Sequence, residues 1–240
     1  MEIKVFKSYQ ELSRACAKVI IDQVRTNPQS VLGLATGSSP LGLYQELIRD
    51  HDFNKTSYRD VMTFNLDEYV GLDKEHPQSF YSFMMENLFY HIDISYCNIH
   101  IPNGCAFDIE QECKNYNKLL EENPIDLQVL GIGVNGHIGF NEPGTPFDST
   151  VHIVKLNDTT RKHNARFFNS LQEVPEYAIT MGIKNILNAK KIILIAHGKE
   201  KSEAIYHLVK GNPTPDWPAT ALQYHHGVVL FLDEEAASLL

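Results

Sequence analysis

The sequence lacks the features of an exported or membrane-embedded protein. No window approaches the roughly 18 uninterrupted apolar residues of a membrane span, and the N-terminal stretch does not combine positive charge with an apolar core. These absences predict a cytoplasmic protein without a membrane partner.

Cysteine is scarce and irregularly placed. The sequence has four cysteines and none of them forms a CxxC pair, so neither a zinc site nor a thioredoxin-like redox pair is indicated. We expect no bound metal and free thiols at Cys16, Cys97, Cys105 and Cys113.

Basic residues are outnumbered by acidic ones. Lys and Arg total 21 against 30 Asp and Glu, which gives a formal net charge of -9 at pH 7. This charge argues against a nucleic-acid partner. An anionic small molecule would need a local positive site.

Short β-branched runs alternate with longer segments of helical periodicity. With 240 residues, 43% of them hydrophobic, the chain can close one sizeable core, so we expect a single domain over residues 1–240. The alternation predicts an α/β fold, a doubly wound, mostly parallel, Rossmann-like sheet flanked by helices. The expected strands are Val31–Leu34, Val61–Phe64, Leu127–Leu130, Lys191–Ala196 and Gly227–Leu232, and the expected helices are Ser8–Val24, a segment from Leu41, and Ser79–Tyr90.

One segment near the C-terminus should interrupt regular structure. Gly211–Pro218 holds three prolines, which lack a backbone N–H and forbid a helix or an interior strand. Only one more strand is expected after it. We therefore interpret this segment as a loop and not as a domain boundary.

The first loop with chemical potential follows Val31–Leu34. It reads Ala35-Thr36-Gly37-Ser38-Ser39-Pro40 and opens a helix, where backbone N–H groups can bind a phosphate. An ordinary N-cap made by the hydroxyls is an equally good interpretation of this loop alone.

The second loop carries two adjacent carboxylates, Asp67 and Glu68. One of a crowded acidic pair tends to have a raised pKa, which suits a base that takes a proton from carbon near neutral pH. The alternatives are a surface acidic turn and a helix cap.

The third loop, Gly131–Pro143, begins with a GxGxxG pattern. A dinucleotide site requires a helix to start within these glycines, but Gly139 and Pro143 break any helix there, so we reject that interpretation. The loop instead brings together Asn135, His137 and Glu142 as a general acid–base group.

Together these loops resemble the glucosamine-6-phosphate deaminase family along essentially the whole chain. The resemblance is carried by Leu34–Pro40, by Asn65–Leu72, by Gly136–Pro143, by Arg166-Phe167-Phe168 and by the turn from Gly198 to Lys201.

The resemblance implies conversion of glucosamine 6-phosphate and water to fructose 6-phosphate and ammonia, within amino-sugar catabolism, including that of N-acetylglucosamine. It implies a hydrolase or isomerase with no cofactor. In that family the residue matching Asp67 takes the C2 proton of the open-chain sugar, and the residue matching His137 assists ring opening. The residues matching Asn135 and Glu142 support it, and the substrate phosphate binds at those matching Gly37, Ser38, Ser39, Arg166 and Lys201.

Two departures from the family pattern refine the prediction. Some members carry Asp where this chain has Asn135, which can orient His137 but cannot share its charge, so Glu142 becomes the expected charged partner. Longer members are allosteric hexamers, whereas this chain stops at Leu240 and has His152 and Val154 where basic effector ligands are expected. We expect a non-allosteric monomer or low-order oligomer.

Three rival functions can be weighed on the same residues. The 6-phosphogluconolactonases share the Gly-His loop, but they usually place Arg and Thr where this chain has Tyr69 and Ile138. A sugar-phosphate sensor of similar architecture needs a DNA-binding segment with a basic patch, which the sequence lacks. A nicotinamide dehydrogenase needs the missing helix after Gly136. The deaminase interpretation is preferred.

Overall fold

The main sheet of the fold is parallel throughout. A computed structural model describes residues 1–157, 161, 165, 168 and 170–240, and within them seven strands pair in the order β1-β10-β9-β6-β2-β3-β5. These strands are β1 (Glu2–Phe6), β2 (Val31–Leu34), β3 (Met62–Asn65), β5 (Ile99–His100), β6 (Leu127–Leu130), β9 (Ile192–Ala196) and β10 (Val228–Asp233).

Helices cover both faces of this sheet, which confirms the predicted doubly wound α/β fold. One face packs against α1 (Tyr9–Thr26), α2 (Leu41–Asn54) and α3 (Phe80–Asn87). The other face packs against α4 (Ile109–Glu122), α5 (Ile183–Leu187) and α6 (Ser202–Lys210).

Strand β9 shows why the sheet is buried on both sides. Its residues alternate between the two apolar clusters: Ile192, Leu194 and Ala196 face one, and Ile193 and Ile195 face the other. All five are fully buried. A continuous apolar run is the signature of a strand in a parallel sheet with helices on both faces.

Helix α1 forms where its apolar spacing predicts it. The Ser8 hydroxyl caps its N-terminus by accepting a hydrogen bond from the backbone of Glu11. The buried side chains of Leu12, Cys16 and Ile20 recur every fourth residue, so one stripe of the helix faces the sheet.

The sequence predicts a loop at Asp67-Glu68, and that prediction is wrong. Asp67–Tyr69 forms strand β4, which pairs with β8 (Tyr177–Thr180) in a small antiparallel sheet completed by β7 (His152–Lys155). Three residues are too few to show a strand period, and only the pairing with a distant strand defines this one. Both carboxylates are consequently buried.

The predicted interruption of regular structure near the C-terminus is present. The segment from Gly211 to Trp217 contains neither helix nor extended strand, and a 3-10 helix follows at Pro218–Tyr224.

All four cysteines are free thiols. Of the helices in the described part of the chain, none has the length and apolar character that a membrane crossing requires.

Candidate active site

The candidate residues gather at one edge of the main sheet. Because β2, β3, β6 and β9 run parallel, the segments that follow them meet where their carboxyl ends meet, which is where α/β sheets bind ligands. The loops beginning at Ala35, Leu66, Gly131 and His197 are those segments.

Asp67 lies buried against the glycine-rich loop. A Cβ added at Gly139 would stand 3.5 Å from Oδ2 of Asp67, an ordinary contact distance, so this part of the loop lies directly against the carboxylate. Burial, followed by the neighbouring charge of Glu68, raises the pKa of Asp67 to about 8. No donor among the described residues hydrogen-bonds this carboxylate, which leaves it able to accept a proton.

Glu68 has a different task from its neighbour. Its carboxylate accepts hydrogen bonds from the backbone N–H groups of Tyr69 at 2.8 Å, Phe80 at 3.0 Å and Tyr81 at 2.9 Å. Burial raises the pKa of Glu68 and these bonds oppose that rise. The helix-cap alternative therefore describes Glu68, which ties β4 to the start of α3.

The glycine-rich loop folds as a series of tight turns. Gly133 N–H donates to the His137 carbonyl at 2.9 Å, and Gly136 N–H donates to the Gly133 carbonyl at 3.0 Å. Gly136 and Gly139 adopt positive φ angles of 81° and 58°. The loop contains no helix, which agrees with the rejection of a dinucleotide fingerprint.

Asn135 stands between the other two polar side chains of this loop. Its Nδ2 donates to Oε2 of Glu142 at 2.8 Å, and its Oδ1 lies 2.8 Å from Nδ1 of His137. The direct distance from Nδ1 of His137 to Oε2 of Glu142 is 3.9 Å. The expected His137–Glu142 pair is thus mainly a chain of two hydrogen bonds through Asn135.

Strand β8 supports the loop from below. Thr180 Oγ1 accepts a hydrogen bond from Phe140 N–H at 3.1 Å, and the buried Asn141 amide donates to the carbonyls of Ile138 and Met181, each at 2.8 Å. Sequence reasoning missed Thr180, because its contact with Phe140 spans 40 residues. Asn141 could have been identified from the sequence, because it lies inside the Gly136–Pro143 motif.

The proposed phosphate loop is open and is shaped by a tyrosine. Gly37 has a φ of 89°, and a Cβ added there would meet nothing within 4 Å. Neither Ser38 nor Ser39 caps α2 through its hydroxyl, which disfavours the simple N-cap interpretation. Instead Tyr9 Oη accepts from Gly42 N–H at 2.8 Å and donates to the Ser39 carbonyl at 2.9 Å.

The predicted cationic ligands fall on two other segments. Lys201 ends the short 3-10 turn that begins after Gly198, and the Gly198 N–H is fixed by the Asp233 carboxylate at 2.9 Å. The His197 ring, just before that turn, lies 4.4 Å from the Tyr9 ring, which brings the turn close to the phosphate loop. Arg166 lies outside the described residues.

Metal ligands do not cluster in the described ranges. Among residues 1–157, 161, 165, 168 and 170–240, no group of three or more His, Cys, Asp or Glu side chains has a geometry that could hold a metal ion.

Comparison with known proteins places the chain in a family. The family model for glucosamine-6-phosphate isomerases and 6-phosphogluconolactonase matches residues 6–231. The glucosamine-6-phosphate deaminase of Clostridium novyi is 54% identical over all of both chains, and that of a Thermoanaerobacter species is 49% identical over all of this chain and 95% of its own.

Solved structures agree with this assignment. A monomeric glucosamine-6-phosphate deaminase superposes with a TM-score of 0.98 at 46% identity, with complete coverage of both chains. The 6-phosphogluconolactonase of Trypanosoma brucei shares the fold, with a TM-score of 0.82 at 21% identity over 100% of this chain and 98% of its own. The chain belongs to the glucosamine-6-phosphate isomerase/6-phosphogluconolactonase family.

Proposed function

We propose that this chain converts glucosamine 6-phosphate and water into fructose 6-phosphate and ammonia. The single observation that carries the proposal is the buried Asp67 carboxylate held against Gly139, on the same loop as the His137–Asn135–Glu142 chain. Two proton-transfer groups placed at one loop suit a reaction that opens a ring and then moves a proton from carbon. Relatives named for this activity are 46–54% identical over the full length.

In this proposal Asp67 is the base that acts on carbon. It removes the proton from C2 of the open-chain aldehyde. The electron pair of the C2–H bond forms the C1–C2 double bond, and the π pair of the carbonyl moves to the aldehyde oxygen, which takes up a proton, so that an enolamine results. Return of a proton to C1 gives an imine at C2, which water hydrolyses to the ketone and ammonia. A pKa raised to about 8 by burial makes Asp67 a stronger base than an exposed carboxylate.

His137 is the proposed ring-opening group. Because Nδ2 of Asn135 donates to Glu142, its Oδ1 faces the imidazole and accepts a hydrogen bond from Nδ1. This arrangement puts the ring proton on Nδ1 in the neutral imidazole and assigns proton exchange with the sugar to Nε2. Opening the pyranose moves a proton from the C1 hydroxyl to the ring oxygen.

The phosphate group would bind at the loop after β2. Gly37, Ser38 and Ser39 offer backbone N–H groups and hydroxyls at the start of α2, and Lys201 and Arg166 are the proposed cations. The proximity of the Lys201 turn to Tyr9 supports a shared site. Such a site supplies the local positive charge that a protein of net charge -9 needs for an anionic substrate.

We further propose a cytoplasmic enzyme that works as a non-allosteric monomer, with one domain over residues 1–240 and without a metal or organic cofactor. A phosphorylated sugar is charged and crosses a bilayer poorly, so its enzyme belongs on the side where it is made. The monomeric state is supported by the relative of that description, which this chain covers completely. Sedimentation equilibrium tests the monomer, and a dimer or larger species would contradict it.

The deciding experiment is a coupled assay on purified protein. Glucosamine 6-phosphate should yield ammonia and fructose 6-phosphate in equal amounts, whereas 6-phosphogluconolactone should be hydrolysed no faster than in buffer. The matched control is Asp67→Asn, which keeps the side-chain shape and removes the base. Lactone hydrolysis without deamination would show a lactonase, and tight binding without turnover would show a sensor.

A further inference from the structure

The aromatic side chain packed beneath the glycine-rich loop has no role in the function proposed above. Trp217, the single tryptophan of the chain, lies in the proline-rich loop before the 3-10 helix at Pro218–Tyr224. A Cβ added at Gly136 would stand 2.7 Å from Cε3 and 3.4 Å from Cα of Trp217. The indole therefore lies against the backbone of the residue between Asn135 and His137.

Two backbone hydrogen bonds fasten the same segments together. Ala219 N–H donates to the Gly136 carbonyl at 2.8 Å, and Gly144 N–H donates to the Pro215 carbonyl at 2.8 Å. The proline-rich loop thus holds the glycine-rich loop at Gly136 and again just beyond Pro143. His137 and Glu142 lie between these two attachment points.

The proline-rich loop is itself tightly held. Thr220 Oγ1 accepts from Thr214 N–H at 2.8 Å and lies 2.6 Å from the Trp217 carbonyl. Trp217 N–H donates to the Thr214 carbonyl at 3.0 Å. A self-bonded turn of this kind gives the indole a fixed position from which to support its neighbour.

His207 of α6 covers the other part of the indole. The His207 and Trp217 rings are 3.9 Å apart at their centroids and nearly parallel, with an interplanar angle of 14°. Rings this close and this nearly parallel lie face to face, so each covers the other. Helix α6, the indole and Gly136 therefore form a continuous packed column.

We propose that Trp217, backed by His207, is a positioning residue that fixes the Gly136 turn and thereby aims the His137 ring at the sugar. The inference rests on the proposed function, because the aim of His137 matters only if this residue opens the ring. Gly136 must have no side chain for the indole to reach its backbone, and its φ of 81° is one that L side chains rarely adopt.

The test compares Trp217→Leu with Trp217→Phe on glucosamine 6-phosphate. The leucine variant should lose about 10- to 100-fold in kcat with KM within about threefold of wild type, because sub-ångström misplacement of a catalytic group acts on the reaction step. Phenylalanine keeps a flat ring and should restore kcat to within about fivefold of wild type. Tyr90→Leu, an exposed aromatic outside this column, is the control and should match wild type.

A primary isotope effect distinguishes a misplaced His137 ring from a loss of folded protein. With substrate deuterated at C2, Trp217→Leu should show an isotope effect on kcat smaller than that of wild type, because ring opening becomes the slower step. Loss of folded protein would lower kcat and leave the isotope effect unchanged. Asp67→Glu, which displaces the carbon base, should show a larger one.

Three results would overturn the inference: unchanged kcat in Trp217→Leu, failure of phenylalanine to restore activity, or an isotope effect equal to or larger than that of wild type. Absence of turnover by the wild-type protein would instead refute the proposed function.

Discussion

The Oδ1 atom of Asn135 lies 2.8 Å from Nδ1 of His137 while its Nδ2 lies 2.8 Å from Oε2 of Glu142. The amide can make both contacts in only one orientation, because Glu142 accepts and cannot donate when ionised. An amide in the middle of the chain therefore fixes the imidazole tautomer without carrying charge. The Glu142 carboxylate therefore acts on the His137 imidazole mostly through the Asn135 amide.

Replacing Asn135 with leucine removes both hydrogen bonds at nearly constant volume. We expect kcat to fall about 10- to 100-fold, since the imidazole loses the partner that orients it. Steady-state kinetics on glucosamine 6-phosphate measures the change. Asn115→Leu, at an exposed helical position, is the control. An unaltered kcat in Asn135→Leu would mean that the His137 ring is held by other contacts.

Asp67→Asn keeps the shape of the side chain and removes the base. Exchange of the C2 hydrogen with deuterated water should stop, and kcat should fall by at least about 10³-fold, near the upper part of the range for general-base catalysis. Substrate binding should change little. Proton NMR follows the exchange and calorimetry follows the binding. Exchange at the wild-type rate would exclude Asp67 from the chemistry.

The raised pKa of Asp67 predicts the acid limb of the pH profile. The base must be ionised to accept a proton, and burial with the Glu68 charge raises its pKa to about 8 in the free protein. The value of kcat/KM should therefore rise with pH, with the midpoint of the limb near pH 8 and the plateau above it. Initial rates in a constant-ionic-strength buffer series give this limb. A limb near the ordinary carboxylate pKa of about 4 would indicate a solvated group.

The same buried carboxyl makes stability depend on pH. The unfolded carboxyl ionises near its ordinary pKa of 3.8 and the folded one near 8, so between these values the unfolded state binds fewer protons. The free energy of unfolding must then fall as pH rises through this window. Asp67→Asn should remove this dependence of the free energy of unfolding on pH. The variant should also be more stable than wild type by about 2 kcal/mol at about pH 8. This figure uses roughly 1.36 kcal/mol per pKa unit and counts less than half of the pKa shift of Asp67.

Urea unfolding at about pH 5 and about pH 8, inside this window and at its upper end, measures the effect. The advantage of the asparagine variant should be smaller at the lower pH. A variant less stable than wild type at the higher pH would show that the Asp67 carboxylate is stabilised in the folded protein and not penalised by burial.

The main sheet can be predicted from sequence wherever an apolar run coincides with a strand buried on both faces. The run Leu127–Leu130 coincides with β6, and the predicted start of β9 differs from Ile192 by one residue, because every side chain in these strands must be apolar or satisfied. Such a prediction is not possible for the edge strands β1 and β5 or for the small sheet of β4, β8 and β7. Glu2–Phe6 carries exposed residues and Ile99–His100 is two residues long, so neither has a usable period.

Within the site, sequence identifies functional groups but not their contacts. Asp67 and His137 are recognisable from their motifs, but the Asn135 bridge depends on the backbone turns at Gly133 and Gly136. The division of labour between Asp67 and Glu68 depends on which carboxylate meets the start of α3. Such contacts are set by tertiary packing, which a local pattern does not encode.

Tyr9 provides the sharpest test of the proposed phosphate loop, because one hydroxyl bonds to both sides of it. Its oxygen accepts from Gly42 N–H at 2.8 Å and donates to the Ser39 carbonyl at 2.9 Å. Tyr9→Phe removes both bonds while keeping the ring against His197. We expect KM for glucosamine 6-phosphate to rise about fivefold, which corresponds to about 1 kcal/mol, because the lost bonds position the loop and do not themselves contact the substrate, with kcat within about twofold of wild type.

The matched control is Tyr58→Phe. It removes the same hydroxyl group from a tyrosine, but the Tyr58 hydroxyl is buried without a hydrogen-bond partner among the described residues. Inhibition by inorganic phosphate should weaken in Tyr9→Phe in parallel with the rise in KM, and should be unchanged in Tyr58→Phe. If KM rises in Tyr9→Phe while phosphate inhibition stays constant, the loop after β2 contacts another part of the sugar, and the phosphate binds elsewhere.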